Sequence, residues 1–225
     1  MSSSKLKRLF SMLAVLVLLA IGSYQSQELR NNVNDDSTTN LPAVLSSSSG
    51  EQLESLEIKG RAPKTGYDRD LFSSGWAVID SCDMRNFILA RDMMGEVLDD
   101  DNCTVLSGAL NDPYVGKSIL FQRGKLTSAE VQIDHVVAVS DAWQKGAQTM
   151  DQLTRYEFYN DPDNLLAVDG PANQQKGDGD AATWLPENKT YRCEYVSKQI
   201  FVKTKYNLWV TRSEYDAMAK ILNDC

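Results

Sequence analysis

Four cysteines, and the compartment they imply, constrain this chain more than any other feature. Cys82, Cys103, Cys193 and Cys225 stand far apart, and none forms a C-x-x-C pair. Zinc knuckles and dithiol redox centres need close pairs, so both are disfavoured. An even count at wide spacing fits two disulfides in a protein that leaves the cell. The start of the chain agrees. Lys5, Lys7 and Arg8 form a basic stretch without acidic residues, and a mostly apolar run follows from Phe10 to Gly22. This is a signal-peptide pattern over residues 1–22, ending in the small-x-small site Ala20-Ile21-Gly22. The run has 13 residues, whereas a membrane span needs about 20. The expectation is a secreted protein with no stable membrane association after cleavage and no obligate protein partner. An uncleaved N-terminal anchor is the alternative.

Residues 23–60 read as a polar tether, rich in Asn, Asp and Ser, whose ordering would gain little burial. Leu53, Leu56 and Ile58 are candidates to dock on the domain edge. The folded domain is expected over 61–225. Helical spacing marks residues 83–94, with Met84, Phe87 and Ile88 on one face. Residues 103–110 and 117–122 read as strands around the turn Asn111-Asp112-Pro113. Val131–Val139 reads as a buried strand, Ser140 and Thr149 as helix caps, and Leu165–Val168 as a short strand. Pro171 suits the first turn of the next helix. Two helices close the chain, the second opened by the capping box Thr211-Arg212-Ser213-Glu214. Cys193 and Cys225 fall on the apolar stripes of these two helices, so a bridge between them would staple the stripes. Cys82–Cys103 would then be the second bridge, one of three pairings the sequence allows. Each bridge closes a loop worth roughly 3 kcal/mol in the chain-entropy model.

His135 is the one histidine of the chain. Catalytic zinc sites and H-E-x-x-H proteases need more imidazoles, so both are excluded. The net charge is −8, and removing residues 1–22 deletes three positive charges and no negative ones, leaving −11. A protein that held nucleic acid by bulk charge would be basic. Nucleic-acid chemistry here would need local cations or a metal.

The informative segment runs from Ile133-Asp134-His135-Val136-Val137, through Asp163-Asn164-Leu165-Leu166, to Asn173-Gln174-Gln175-Lys176. Read as strand, strand and helix, it resembles the HNH, or ββα-metal (His-Me finger), endonucleases in their Asn-containing variant. A closer resemblance rests on Gly66-Tyr67-Asp68-Arg69, Cys82-Asp83-Met84-Arg85, Asp112-Pro113-Tyr114-Val115-Gly116, Ile133 to Gly146, Asn160 to Asp178 and Trp184-Leu185-Pro186. These stretches look like secreted bacterial HNH-family proteins, of the family that includes the C-terminal domain of GmrSD-type restriction enzymes. One departure is visible, Ala138 where a proline often follows the D-H-x-x stretch.

The resemblance implies an α+β fold: a ββα-metal core with additional helices and short strands, stapled by disulfides. It implies an HNH-type endonuclease, with nucleic acid as partner and DNA ahead of RNA. His135 would be the general base, having an intrinsic pKa of about 6.5, so activity should fall in acid. Asp134 and Asn173 would hold a divalent metal, Mg²⁺ first and Mn²⁺ or another divalent ion next, acting as a Lewis acid. Asn164 would orient the loop carrying His135, and Lys176 would contact phosphate. Arg155, Arg123, Arg69 and Lys145 are weaker candidates for backbone phosphates. Trp76, Trp143, Trp184 and Trp209 read as core or lid residues, and Asp99-Asp100-Asp101 as a solvated acidic turn. Two other classes stay open: a catalytically silent secreted binding or surface protein on the same fold, and a Ser-His-Asp hydrolase. The absence of a G-x-S-x-G elbow weakens the latter.

Overall fold

The computed structural model describes residues 41–225, with side chains from residue 48 onward. The expected signal peptide and the first part of the expected tether lie outside the described residues. Helix α1 (Leu41–Ser55) comes first. Its Leu53 and the following Leu56 are buried in the core, and Ile58 forms a parallel bridge to Val210. Leu53 and Leu56, expected to dock on the domain edge, thus cover an apolar face of the domain.

Strands β1 (Val78–Ile79) and β2 (Cys82–Asp83) pair across a turn in which Asp80 and Ser81 take φ of 49° and 71°. Asp83 caps α2 (Met84–Asp92) by accepting from the Asn86 N–H. Met84, Ile88 and Leu89 face inward, whereas Phe87, expected on that stripe, is 44% exposed. Strands β3 (Met93–Leu98), β4 (Val105–Asn111) and β5 (Ser118–Gln122) form an antiparallel sheet in that order. The strand β3 was not anticipated, since its exposed residues lack an alternating pattern.

Strand β6 (Val131–His135) is shorter than the apolar run suggested. Beyond His135 the Val137 N–H is taken by the Asn164 side chain, which ends the ladder. Val139 instead opens helix α3 (Val139–Gln144), with Ala138 at its cap position and no side-chain cap. Ser140 is thus inside the helix. Ala138 holds φ −59°, within the range a proline would impose. Helix α4 (Gln152–Tyr159) is capped by Asp151, not by Thr149, whose hydroxyl donates to the Gly146 carbonyl. Strand β7 (Leu165–Asp169) pairs antiparallel with β6, and helix α5 (Gly170–Lys176) follows at once. Helices α6 (Arg192–Lys205) and α7 (Arg212–Asn223) finish the chain, the latter with the expected Thr211–Glu214 capping box. The disulfides are Cys82–Cys103 and Cys193–Cys225, as the helix stripes indicated.

The β6–β7 pair separates two cores. Leu166 and Val168 join Ala172 of α5 and the α6–α7 residues Val196, Ile200, Met218 and Leu222. Val131, Ile133, Leu165 and Ala167 point the other way, toward α2 and the β3–β4–β5 sheet. A third cluster gathers α3, α4 and Phe72 around Trp143.

Gly170 sets the join between β7 and α5. Its N–H donates to the Glu130 carbonyl, and a Cβ there would lie 2.1 Å from the Ala129 carbonyl oxygen. Backbone cannot yield as a flexible side chain can. Gly170→Ala is expected to cost at least ~1–3 kcal/mol by overpacking, measured by urea unfolding of the oxidised protein. Unchanged stability would mean that this joint is not rigid. Replacing Cys193 and Cys225 together by serine should cost about 3 kcal/mol in the same measurement.

Candidate active site

Alternation along β6 puts neighbouring side chains on opposite faces. Asp134 pairs in register with Leu166 and shares the α5 side, while His135 pairs with Leu165 and faces the other way. Both are buried, each 4% exposed.

On its side, Asp134 is fully engaged. One carboxylate oxygen accepts from Lys176 Nζ at 2.9 Å, and the other accepts from the Tyr114 hydroxyl. Lys176 also donates to the His135 carbonyl oxygen at 2.8 Å. Burial raises the Asp134 pKa above the ordinary carboxylate value, against the opposing pull of Lys176 and Tyr114. Tyr114 is driven well above the usual phenol value, first by burial and then by Asp134. Helix α5 positions Lys176 one turn beyond Asn173, whose side-chain N–H donates to Gln132 Oε1 at 3.0 Å.

On the other side, His135 Nε2 lies 2.8 Å from the Tyr159 carbonyl oxygen. A carbonyl only accepts, so Nε2 carries the proton and Nδ1 keeps the lone pair. The Trp76 indole stacks on the imidazole with centroids 5.7 Å apart and planes 13° from parallel. Tyr159 flanks it at 4.6 Å. Trp76 is fixed through its neighbour, because the Ala77 N–H donates to Asn160 Oδ1 at the end of α4. Burial lowers the His135 pKa to about 3, with Arg69 and Lys176 pushing the same way and the Tyr159 bond opposing. The ring is neutral over the physiological range.

Asn164 is completely buried and clamps the turn after His135. Its oxygen accepts from the Val137 N–H at 2.8 Å and its amide donates to the Val137 carbonyl at 3.3 Å. Its own carbonyl accepts from the Val136 N–H. This double clamp couples β7 to the end of β6.

The four weaker candidates separate sharply. Arg69 is exposed, lies over the Tyr159 ring at 4.9 Å and is close enough to act on the charge of both His135 and Asp134. Arg123 is spent on structure, donating to the Val105 carbonyl and to Asn86 at the edge of the β3–β4–β5 sheet. Arg155 donates to the Leu71 carbonyl and lies over Trp143. Lys145 is wholly buried among Asp141, Asp180 and Glu214. Long cationic side chains look alike in sequence, and only packing tells a surface charge from a structural one. Tyr159 and Tyr114 are the site residues that reasoning from sequence did not single out, while Trp76, expected as a core or lid residue, packs on the His135 ring. Tyr114 stood inside a quoted motif, but nothing local ties it to Asp134, which is 20 residues away.

These contacts bear on whether the expected ligands fit a metal ion. Asp134 has an ammonium on one oxygen and a phenol on the other, and Asn173 is tied to Gln132. A divalent ion at Asp134 would sit beside an ammonium already in place. Among the described residues no group of three or more His, Cys, Asp or Glu side chains is arranged to hold a metal. As arranged, the Asp134–Asn173 pair does not fit a metal ion. A cavity of about 390 Å³ lined by Thr149, Glu157, Lys205 and Tyr206 contains none of the expected site residues.

A stability consequence follows from His135. In the unfolded chain its imidazole takes up a proton below about pH 6.5, while the folded ring stays neutral to about 3. Between those values the unfolded state binds more protons, so stability is intact above the window and falls as pH drops through it. The slope is on the order of 1 kcal/mol per pH unit. Urea melts between pH 7 and 5 should show this slope in the wild type and lose it in His135→Gln. Equal slopes in both proteins would refute the buried neutral ring.

The family model described as "GmrSD restriction endonucleases, C-terminal domain" matches residues 83–221. The chain is 35% identical over 187 residues to an "Uncharacterized secreted protein" of Arthroderma benhamiae, covering 82% of this chain and 88% of that one. No solved structure matches.

Proposed function

This chain belongs to the family of GmrSD restriction endonuclease C-terminal domains, a nuclease-related family, and from that premise we propose that it is a secreted endonuclease with an HNH-type active site. The substrate is nucleic acid, DNA ahead of RNA. One observation carries the reading: the histidine of the β6–β7–α5 unit is held as a single neutral tautomer, with Nε2 on a backbone carbonyl and Nδ1 free to accept. Secretion is supported by two disulfides and by the name of the Arthroderma relative.

The chemistry assigned to the chain is short. His135 Nδ1 takes a proton from water, and the resulting hydroxide attacks phosphorus. The P–O bond opposite breaks, and the leaving oxygen takes a proton from solvent and departs as an alcohol. The exposed Arg69 guanidinium meets the phosphate, a role its planar fork suits. Asn164 positions His135 through Val136 and Val137 and touches no substrate. Trp76 stacks on the ring and His135 is 4% exposed, so a phosphate reaches Nδ1 only after the surroundings of the ring rearrange.

Two features set the pH behaviour. A ring neutral down to about 3 removes the acid loss expected at pH 6.5. A base that weak also drives proton transfer weakly, so turnover should be slow. The test incubates the oxidised protein with plasmid, linear DNA and RNA. Wild type is expected to cut with kcat/KM level from pH 7 to about 5, and His135→Ala to lose at least ~10²-fold. Undiminished cutting by His135→Ala would remove the base from the mechanism. An acid limb at pH 6.5 would show that the ring is solvated in the working state.

The closure of the site favours one second reading. With His135 and Asp134 each 4% exposed, the same fold could serve as a catalytically silent secreted binding protein. Intact substrates under every condition would leave that reading standing.

A further inference from the structure

The Asp134 contacts carry a consequence about charge. The Lys176 side chain is completely buried, yet its ammonium has two fixed partners, Asp134 Oδ1 at 2.9 Å and the His135 carbonyl oxygen at 2.8 Å. The second Asp134 oxygen is closed by the Tyr114 hydroxyl, and Tyr114 is itself wholly buried. Asp134 and Lys176 together are neutral. Tyr195 packs edge-on and Trp184 at a tilt against Tyr114, so the aspartate side of the site is walled by aromatic rings.

A magnesium-sized ion needs ligand oxygens at about 2.0–2.1 Å and near-octahedral space, much of it filled by water. Bound to Asp134, it would share a carboxylate with an ammonium that is already in place. The two cations would repel across a poorly solvated gap, and the added charge would find no second carboxylate. Removal of Lys176 would be needed first, and that would strand a buried charge.

We propose that the Lys176 ammonium is the resident cation of this site, occupying the place on Asp134 that a divalent ion would take and excluding such an ion from the Asp134–Asn173 pair. The ammonium also grips the backbone of His135, so the same cation holds the strand end that carries the base. The exclusion stands on these contacts alone. Its catalytic corollary, cleavage that survives a chelator, rests on the nuclease reading above.

The test titrates the oxidised full chain with Mn²⁺ and follows the free-ion paramagnetic resonance signal. Wild type is expected to show no Asn173-dependent site with Kd below about 1 mM. Asn173→Ala is the comparison, since this partly exposed side chain can be trimmed without stranding a buried charge. A single Mn²⁺ bound below about 100 μM, and weakened tenfold or more in Asn173→Ala, would overturn the proposal. Binding that Asn173→Ala leaves intact lies elsewhere and keeps it. In parallel, plasmid cleavage is measured in excess chelator. Cleavage retained within about twofold supports the corollary, and cleavage lost to chelator and restored by Mn²⁺ overturns it. An absence of cleavage with and without metal would sink the nuclease reading and leave the exclusion result to be judged by the Mn²⁺ titration.

Discussion

Six buried or half-buried charges behind the site hold its parts in register. Lys145 sits 2.7–2.8 Å from Asp141, Asp180 and Glu214. Lys203 reaches Asp141 and Glu214, and Arg61 reaches Asp141 and Asp180. Three cations meet three anions, so the group is neutral as a whole. Burial would raise Asp180, yet Lys145 and Arg61 hold it at about 2. Burial would lower Lys203, yet Glu214 and Asp141 raise it above the ordinary value. Such a network is not strong evidence of net stability, because desolvation offsets much of the attraction. Its importance lies in what it joins. Asp141 stands on the helix that follows His135, Asp180 four residues beyond Lys176, and Lys203 and Glu214 on the two closing helices. Losing one member leaves partners buried and unpaired, at a cost of roughly 3–5 kcal/mol.

That frame lets strand alternation do chemical sorting. On β6, one residue's step turns a carboxylate toward α5 and an imidazole toward Trp76 and Tyr159. The two groups therefore experience different surroundings despite being adjacent. Asp134 is neutralised by an ammonium and keeps its contacts polar. His135 has only a carbonyl and aromatic faces, so burial dominates and holds it neutral. A one-residue slip in the β6–β7 register would exchange these environments. The Asn164 clamp on Val137, and the Gly170 joint at the far end of β7, are what oppose such a slip.

Much of this was legible in the sequence because it is local or periodic. The closing helices, their capping box and the Cys193–Cys225 staple follow from 3.6-residue spacing. The order of β6, β7 and α5 follows from two short apolar runs, the first rich in β-branched residues, and from Pro171 in the first turn of the next helix. What stayed hidden is long-range. Lys145 and Arg69 are both cations near the motif, and one became a buried strut while the other remained at the surface. Glu214 read as a local cap, yet its carboxylate also meets Lys145 and Lys203. The strand after His135 ended early because a side chain 27 residues away took the backbone N–H. None of these pairings has a signature in a window of ten residues.

The overall charge then acquires a specific meaning. With a net charge of −8 the chain repels a polyanion at long range, and the exposed Arg69 is the cation that lies over Tyr159 beside His135. Beyond a Debye length of about 8 Å in physiological salt, that repulsion is largely screened. Capture would then fall to contacts made inside that distance, by Arg69 and by whatever opens around Trp76. Few phosphate contacts mean few counterions released, so binding should be weak and only mildly salt-dependent compared with a basic nuclease. The same sparing use of positive charge appears inside the fold, where Lys176 and Lys145 are committed to carboxylates.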